Sequence, residues 1–501
     1  MKKIVFWIFI FSFFLLRPFE LQQKGMFYPT DDYGYFAHAS AMVFGQFPSY
    51  EKEYFMRPTR TPLTGIGPAI MASPFVFVFS LIDRVSGADI VKQRAAENII
   101  HSWSLFGFIM ASQFYFILGC FLLYWGVCFY TSRRYAVLSV VFMALCQGMP
   151  IYVFRRPINS HSFEFFLQSL FVFFSLKYYN PREIKPPGYL FSFGLGIIAG
   201  LMVLTRYNNI ALAAVWPFII LCARLTDLKR RNFWARISAA GVGAGVMIFL
   251  FMILPNVYIP SSRIARVGDA LLQSAGPIFF MRRILHILDG IDWGLLYTAP
   301  FILIGLFAAI LLRFPLKKRL LICLLAMAIN LYVAIMWRTQ GGYYAYRFLF
   351  PSAIPLLIYP LALGLERLET IVGRHARKIW LLIAAFPVLS MLCFLGNGDN
   401  LGFWSAEQYF GVPGPGNNTF QMEIWEMLLF TPGQLILVLI QGGIFYLIHV
   451  FCVMFECVRA LPNAVYVRYP VFSGLIFLKI CMMYAWPFLL YWLFKQRGPS
   501  R

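Results

Sequence analysis

Charge is what this sequence has least of. Asp, Glu, Lys and Arg make up 13% of its 501 residues, about half of the roughly 25% usual in a soluble domain. Hydrophobic residues make up 60% and the mean hydropathy is +0.70, values that exclude an ordinary water-soluble protein. Cysteine pairing is missing too. None of the nine cysteines stands in a Cys-x-x-Cys, and Cys120, Cys128, Cys146, Cys222, Cys323 and Cys481 lie inside apolar runs. Neither a disulfide framework nor a zinc site is expected. No Gly-x-Gly-x-x-Gly, phosphate-binding loop or Gly-x-Ser-x-Gly occurs in a strand–helix setting, which removes nucleotide-dependent and serine-hydrolase chemistry. His38, His101 and His286 lack metal-ligand spacing, so no divalent metal site is evident and no cofactor is predicted. No internal repeat is detectable, against a transporter built from repeated halves.

What is present is a series of apolar runs near 20 residues, each long enough to cross about 30 Å of hydrocarbon as a helix. The formal net charge is +22. Its basic residues cluster in alternate loops: "TSRRY" at 131–135, "RLTDLKRRNFWAR" at 224–236, "RFPLKKR" at 313–319 and "RLETIVGRHARK" at 367–378. That is the positive-inside pattern, not the aromatic-interleaved stripe of a nucleic-acid binder, and no nucleic-acid partner is expected. The surplus suits membrane lipids, either an anionic leaflet or a phosphate-bearing lipid.

Lys2 and Lys3 precede a bulky aromatic core with no small-x-small cleavage site, so the N-terminus reads as a retained helix starting in the cytoplasm. Arg133 and Arg134 mark the next inner loop, and 104–130 is one outside-to-inside crossing. Parity then leaves no room for a crossing at 61–84. Its Pro62, Gly65, Gly67, Pro68 and Pro74 also argue against a spanning helix. It is expected to lie in the outer interface, followed by an amphipathic stretch at 88–101, making a long first outer loop over 20–103. Further crossings are expected at 135–153, 161–179, 188–206, 209–224, 236–255, 293–312, 319–337, 348–366, 379–396, 432–455 and 471–494, about 13 in all. The fold class is an all-α polytopic membrane protein, with residues 1–370 as one module. Residues 371–501 add terminal helices around a small outer loop at 397–431.

Candidate chemistry lies on the outer side. "YPTDDYGYFAHASAM" places Asp31 and Asp32 just past the first helix, followed by Tyr35 and His38. One acid capping a helix that starts near Tyr33 explains the pair. A carboxylate at headgroup depth also suits a general base taking the proton of an acceptor hydroxyl. Arg155, Arg156, Arg206, Arg282, Arg283, Arg338 and Arg347 stand at outer helix ends. Each can be a snorkelling cation, yet the guanidinium fork fits phosphate oxygens, and Arg206 and Arg347 are the strongest candidates. His161 and Glu164 open the helix "SHSFEFFLQSLFVFF" on one face, either as a hydrogen-bonded helix start or as substrate ligands.

These features in this order resemble the GT-C superfamily of integral-membrane glycosyltransferases, which includes the protein O-mannosyltransferases and the lipid A aminoarabinose transferases. Asp31-Asp32-Tyr33-Gly34-Tyr35 is similar to its acidic motif, and "TPLTGIGPAIMASPF" to its Pro/Gly-rich interfacial segment. "GLGIIAGLMVLTRYNN" places a family basic position on Arg206, and "YRFLFPSAIP" places another on Arg347. The likeness covers roughly the first 370 residues. It implies a GT-C-like helix bundle that moves a sugar from a polyprenyl-phosphate donor to a lipid, glycan or protein acceptor. The transfer occurs at the outer face of what is expected to be a bacterial inner membrane. Asp31 is then the base, Asp32 orients the acceptor, and Arg206 and Arg347 hold the donor phosphate, with no nucleotide site required. Tyr35, His38, Arg155, Arg156, His161 and Glu164 are candidate substrate ligands. A glycolipid transporter or flippase, or an O-antigen-type polymerase or ligase using 397–431, is the alternative.

Overall fold

The structure is a computed structural model that describes residues 31–45, 47–48, 64–87, 102–150, 152–153, 157–178, 188–221, 231–252, 295–314, 316–336, 349–373 and 375–396. No strand occurs among them. The helices are α1 (Asp31–Val43), α2 (Gly67–Val85), α3 (Trp103–Val127), α4 (Arg133–Val140), α5 (His161–Tyr178), α6 (Tyr189–Thr205), α7 (Ile210–Leu221) and α8 (Arg231–Met252). They are followed by α9 (Pro300–Leu311), α10 (Lys317–Met336), α11 (Phe350–Val372) and α12 (His375–Gly396). A 3₁₀ turn, Tyr207–Asn209, joins α6 to α7.

Side-chain contacts fix the helix directions. Phe108 meets Phe163 and Phe116 meets Phe165, at centroid distances of 5.6 and 5.1 Å. The Tyr130 hydroxyl, just past α3, donates to the Leu176 carbonyl near the end of α5 at 3.1 Å. So α3 and α5 run parallel. Trp216 stacks on Phe171 at 5.6 Å and Tyr130 packs on Tyr359 at 5.2 Å, giving α7 and α11 the same direction. Phe191 lies 4.8 Å from Tyr178, so α6 runs back beside α5. At the far end, Glu369 gathers the starts of α4 and α12. Its carboxylate takes Arg134 at 2.8 Å, the Tyr135 hydroxyl at 3.1 Å and Arg377 at 3.5 Å. Along these helices the chain alternates direction, as the alternate basic loops require. The first helix, the stretch at 88–101, the loop at 397–431 and the crossings at 432–455 and 471–494 lie outside the described residues.

Two expectations change. The Pro/Gly-rich segment, expected to lie in the outer interface, forms a helix continuous over Gly67–Val85 that, like α3, is long and apolar enough to cross a membrane. Pro68 sits in the first turn, where no N–H bond is lost, and only Pro74 falls inside. The glycines serve contact instead, because a Cβ added at Gly65 or Gly67 would overlap Leu204–Thr205, mostly backbone. The helix then turns antiparallel onto α3. Asp83, buried near its end, accepts from the Trp103 and Ser104 amides at 2.9 and 2.7 Å and so satisfies donors at the start of α3. The second change is at 135–153. There α4 passes into a π-helical segment, Val141–Leu145, and bends at 146–148, because Gly148 and Pro150 oppose a continuous helix. Gln147 donates back to the Met143 carbonyl at 2.8 Å inside the bend.

Overlap with backbone cannot be relieved by rotating a side chain. Gly67→Val should therefore lower stability by about 1–3 kcal/mol or more, read as a lower unfolding midpoint in a fixed detergent. Gly245→Ala in α8, where nothing lies within 4 Å of the added Cβ, should not lower that midpoint and should raise it slightly, since alanine favours the helix by about 0.5–1 kcal/mol.

Polarity is arranged inside out relative to a soluble protein. Glu164, Gln113, Gln147 and Gln168 are buried, while Phe249 and Leu382 are each 65% exposed on outer helix faces.

Candidate functional site

The site is built where the start of α5 meets the end of α6. Asn159 organises the entry to α5. Its Oδ1 accepts from the His161 amide at 2.8 Å, and its Nδ2 donates to the Tyr152 carbonyl at 2.9 Å. The His161 ring then lies 4.8 Å from that of Tyr152. One turn later comes Glu164, 2% exposed in the middle of phenylalanines. A carboxylate there needs partners for both oxygens, and it has them. Arg206 Nη1 donates to Oε2 at 3.0 Å and the Ser352 hydroxyl donates to Oε1 at 3.2 Å. Arg206 is presented by an extended backbone that ends α6. The polar chain continues inward: Gln168 Nε2 lies 3.5 Å from Ser352 Oγ, and Trp216 Nε1 donates to Gln168 Oε1 at 2.8 Å.

α1 is tied to the same end of the bundle. The Tyr35 hydroxyl donates to Ser160 Oγ at 3.2 Å, and buried His38 donates through Nε2 to the Thr64 carbonyl at 3.1 Å. Gly34 lies so close to Thr64 that a Cβ would collide with its side chain. Thr64 begins the segment whose Gly65 and Gly67 press on Leu204 and Thr205, next to Arg206. A continuous run of contacts therefore links Gly34 to Thr64, Gly65 and Gly67 to Thr205, and Arg206 through Glu164 to Ser352.

Of the residues singled out from sequence, Tyr35, His38, His161, Glu164 and Arg206 are thus gathered at one end of the bundle. Asp31 and Asp32 are the first described residues of α1, which reaches two residues ahead of the start expected near Tyr33. Arg155, Arg156 and Arg347 lie outside the described residues, as do His101 and His286. No cluster of three or more metal-ligating side chains occurs among the described residues.

Sequence reasoning missed Ser352, Gln168, Trp216, Thr64 and Ser160. One signal was available for Gln168: it follows Glu164 by four residues on an otherwise apolar helix, and long polar residues on one face of such a helix need buried partners. Nothing local pointed to Ser352, whose role depends on how α11 packs. A cavity of about 30 Å³ between α5, α7, α10 and α11, lined by Trp216, Arg319, Cys323 and Tyr359 among others, lies toward the opposite end of α5 and meets the polar chain only at Trp216.

No family model matches the sequence, and no curated protein matches it. Among solved structures, the chain is similar to the oligosaccharyltransferase of Archaeoglobus fulgidus. Against the apo form the TM-score is 0.38 at 14% identity, covering 84% of this chain and 62% of that one. Against the same enzyme with zinc and sulfate the TM-score is 0.36 at 14% identity, over 78% and 55%. Against the complex of that archaeal enzyme, AglB, with an inhibitory peptide and a dolichol-phosphate it is 0.35 at 13% identity, over 83% and 61%. The present chain spans less than two thirds of the length of these proteins.

Proposed function

We infer that the chain is an integral-membrane glycosyltransferase of the GT-C kind. It moves a sugar from a polyprenyl-phosphate donor to a lipid, glycan or protein acceptor at the outer face of a bacterial inner membrane. The reading is carried by the run of contacts just described. The segments that bear the acidic motif, the Pro/Gly-rich stretch, Arg206 and the "FPSAIP" that follows Arg347 lie far apart in sequence, yet they meet at one end of the bundle. Apolar outer faces and buried glutamines support a membrane setting, with the start of α5 and the end of α6 on the outer side.

In this reading the acceptor hydroxyl attacks the anomeric carbon and its proton passes to Asp31. The bond from that carbon to the phosphate oxygen breaks, and the departing polyprenyl phosphate keeps the electron pair. Arg206 and Arg347 stabilise the charge it gains, and Asp32 orients the acceptor.

The test is deletion of the gene in its host and restoration with wild type, followed by mass spectrometry of envelope glycans and lipid-linked sugars. Deletion should remove a defined sugar mass from the acceptor and leave its polyprenyl-linked precursor accumulated on the outer side. A precursor trapped on the cytoplasmic side would favour a flippase. Repeat units that are complete but unjoined would favour a polymerase. Either outcome would set the transferase reading aside.

A further inference from the structure

We propose that Glu164 is the positioning residue for Arg206: it fixes the guanidinium for a lipid-linked phosphate, and Ser352, Gln168 and Trp216 hold Glu164 in place. The proposal rests on the transferase reading above and deepens it. The sequence alone offers Glu164 as a candidate ligand for substrate, but the geometry points elsewhere. Oε2 is engaged by Arg206 at 3.0 Å and Oε1 by Ser352 at 3.2 Å, and the side chain is 2% exposed against 13% for Arg206. The carboxylate therefore faces inward and the guanidinium stands between it and the outside.

Arginine has five N–H donors in a rigid plane. A fixed carboxylate that accepts from Nη1 at 3.0 Å restrains where the guanidinium sits, which is what a phosphate that gains charge in the transition state requires. The same carboxylate also moderates the cation's pull on an anion in the ground state. Ser352 adds a structural link: it lies five residues after Arg347, in the first turn of α11. The polar ladder below Glu164, Gln168 to Trp216 at 2.8 Å, ties the arrangement to α5 and α7, helices packed in the core.

The test is a double-mutant cycle in purified full-length protein in lipid nanodiscs, using Glu164→Gln, Arg206→Lys and the pair. Gln at 164 keeps an acceptor for Ser352, and the melting temperature of every variant is measured alongside, because one partner of a buried ion pair is lost. Transfer is assayed with the host's polyprenyl-phosphate sugar, and binding with a short-chain polyprenyl phosphate carrying no sugar. The expected result for Glu164→Gln is a kcat lower by about 10–100-fold, with donor KM and probe Kd unchanged or smaller. In the Arg206→Lys background the same substitution should have little further effect, because its action runs through Arg206.

A rise in donor KM would make Glu164 a direct ligand and overturn the proposal. So would full multiplicativity of the two changes, or a lower melting temperature with unaltered kcat per folded molecule. If wild type binds the probe but transfers no sugar, the transferase reading fails, and positioning is judged on the binding cycle alone. There, a smaller probe Kd for Glu164→Gln that is lost in the Arg206→Lys background supports it, and a larger or unchanged Kd overturns it. If wild type does not bind the probe, both fall.

Discussion

Asp31→Asn should lower sugar transfer by about 10²–10⁴-fold, the usual contribution of a positioned general base, while the protein accumulates in the membrane as wild type does. The substitution is nearly isosteric, and at a helix-terminal acid the exchange of a carboxylate for an amide changes helix stability by about 0.3–1 kcal/mol. The two roles open to this residue therefore differ by orders of magnitude in one measurement. A helix-terminal acid predicts a small shift in melting temperature and full activity. A base predicts unchanged melting and a large loss of kcat with donor KM little altered. Asp32→Asn, if Asp32 orients the acceptor, should act mainly on acceptor KM. Rates are to be taken per folded molecule, with the lipid-linked donor followed in the same samples. Full activity of Asp31→Asn would return the acidic pair to helix termination and move the base elsewhere.

Much of the architecture was legible because its signals are local. Apolar runs broken by basic loops give helix positions and directions, and the described helices from α3 to α12 follow them closely. The exceptions are informative. Proline and glycine in "TPLTGIGPAIMASPF" read as helix breakers, and would be so in isolation. Gly65 and Gly67 instead permit contact with the backbone at Leu204 and Thr205, a long-range event that leaves no trace in the segment itself. The bend after Leu145 was foreshadowed by Gly148 and Pro150, but hydropathy averages over such a break and returns one span. At the site, the types of residue were readable while their pairing was not. Glu164 and Arg206 are 42 residues apart and Ser352 is 188 residues beyond Glu164. Only the packing of α6 and α11 against α5 brings them together.

That pairing leads to the second large effect, on stability. Arg206→Ala should destabilise the protein by about 3–5 kcal/mol, since it strands a carboxylate with 2% exposure without its cation. Most of that cost belongs to the unpaired charge and not to the lost contact. It should therefore be largely recovered in Arg206→Met combined with Glu164→Gln, where no charge is buried, Ser352 still finds an acceptor and the methionine fills the volume of the arginine stem. Unfolding followed by tryptophan fluorescence in one detergent, across wild type, the single variant and the pair, checks this directly. A cost for Arg206→Ala below about 1 kcal/mol is the behaviour of a solvent-screened surface pair. It would mean that the ion pair is wet and that Glu164 does not hold Arg206 firmly. A large cost recovered in the double variant has a further use: that protein is folded yet lacks the guanidinium. If it melts like wild type and transfers no sugar, loss of activity at Arg206 cannot be ascribed to loss of fold, and the cation is needed for the chemistry.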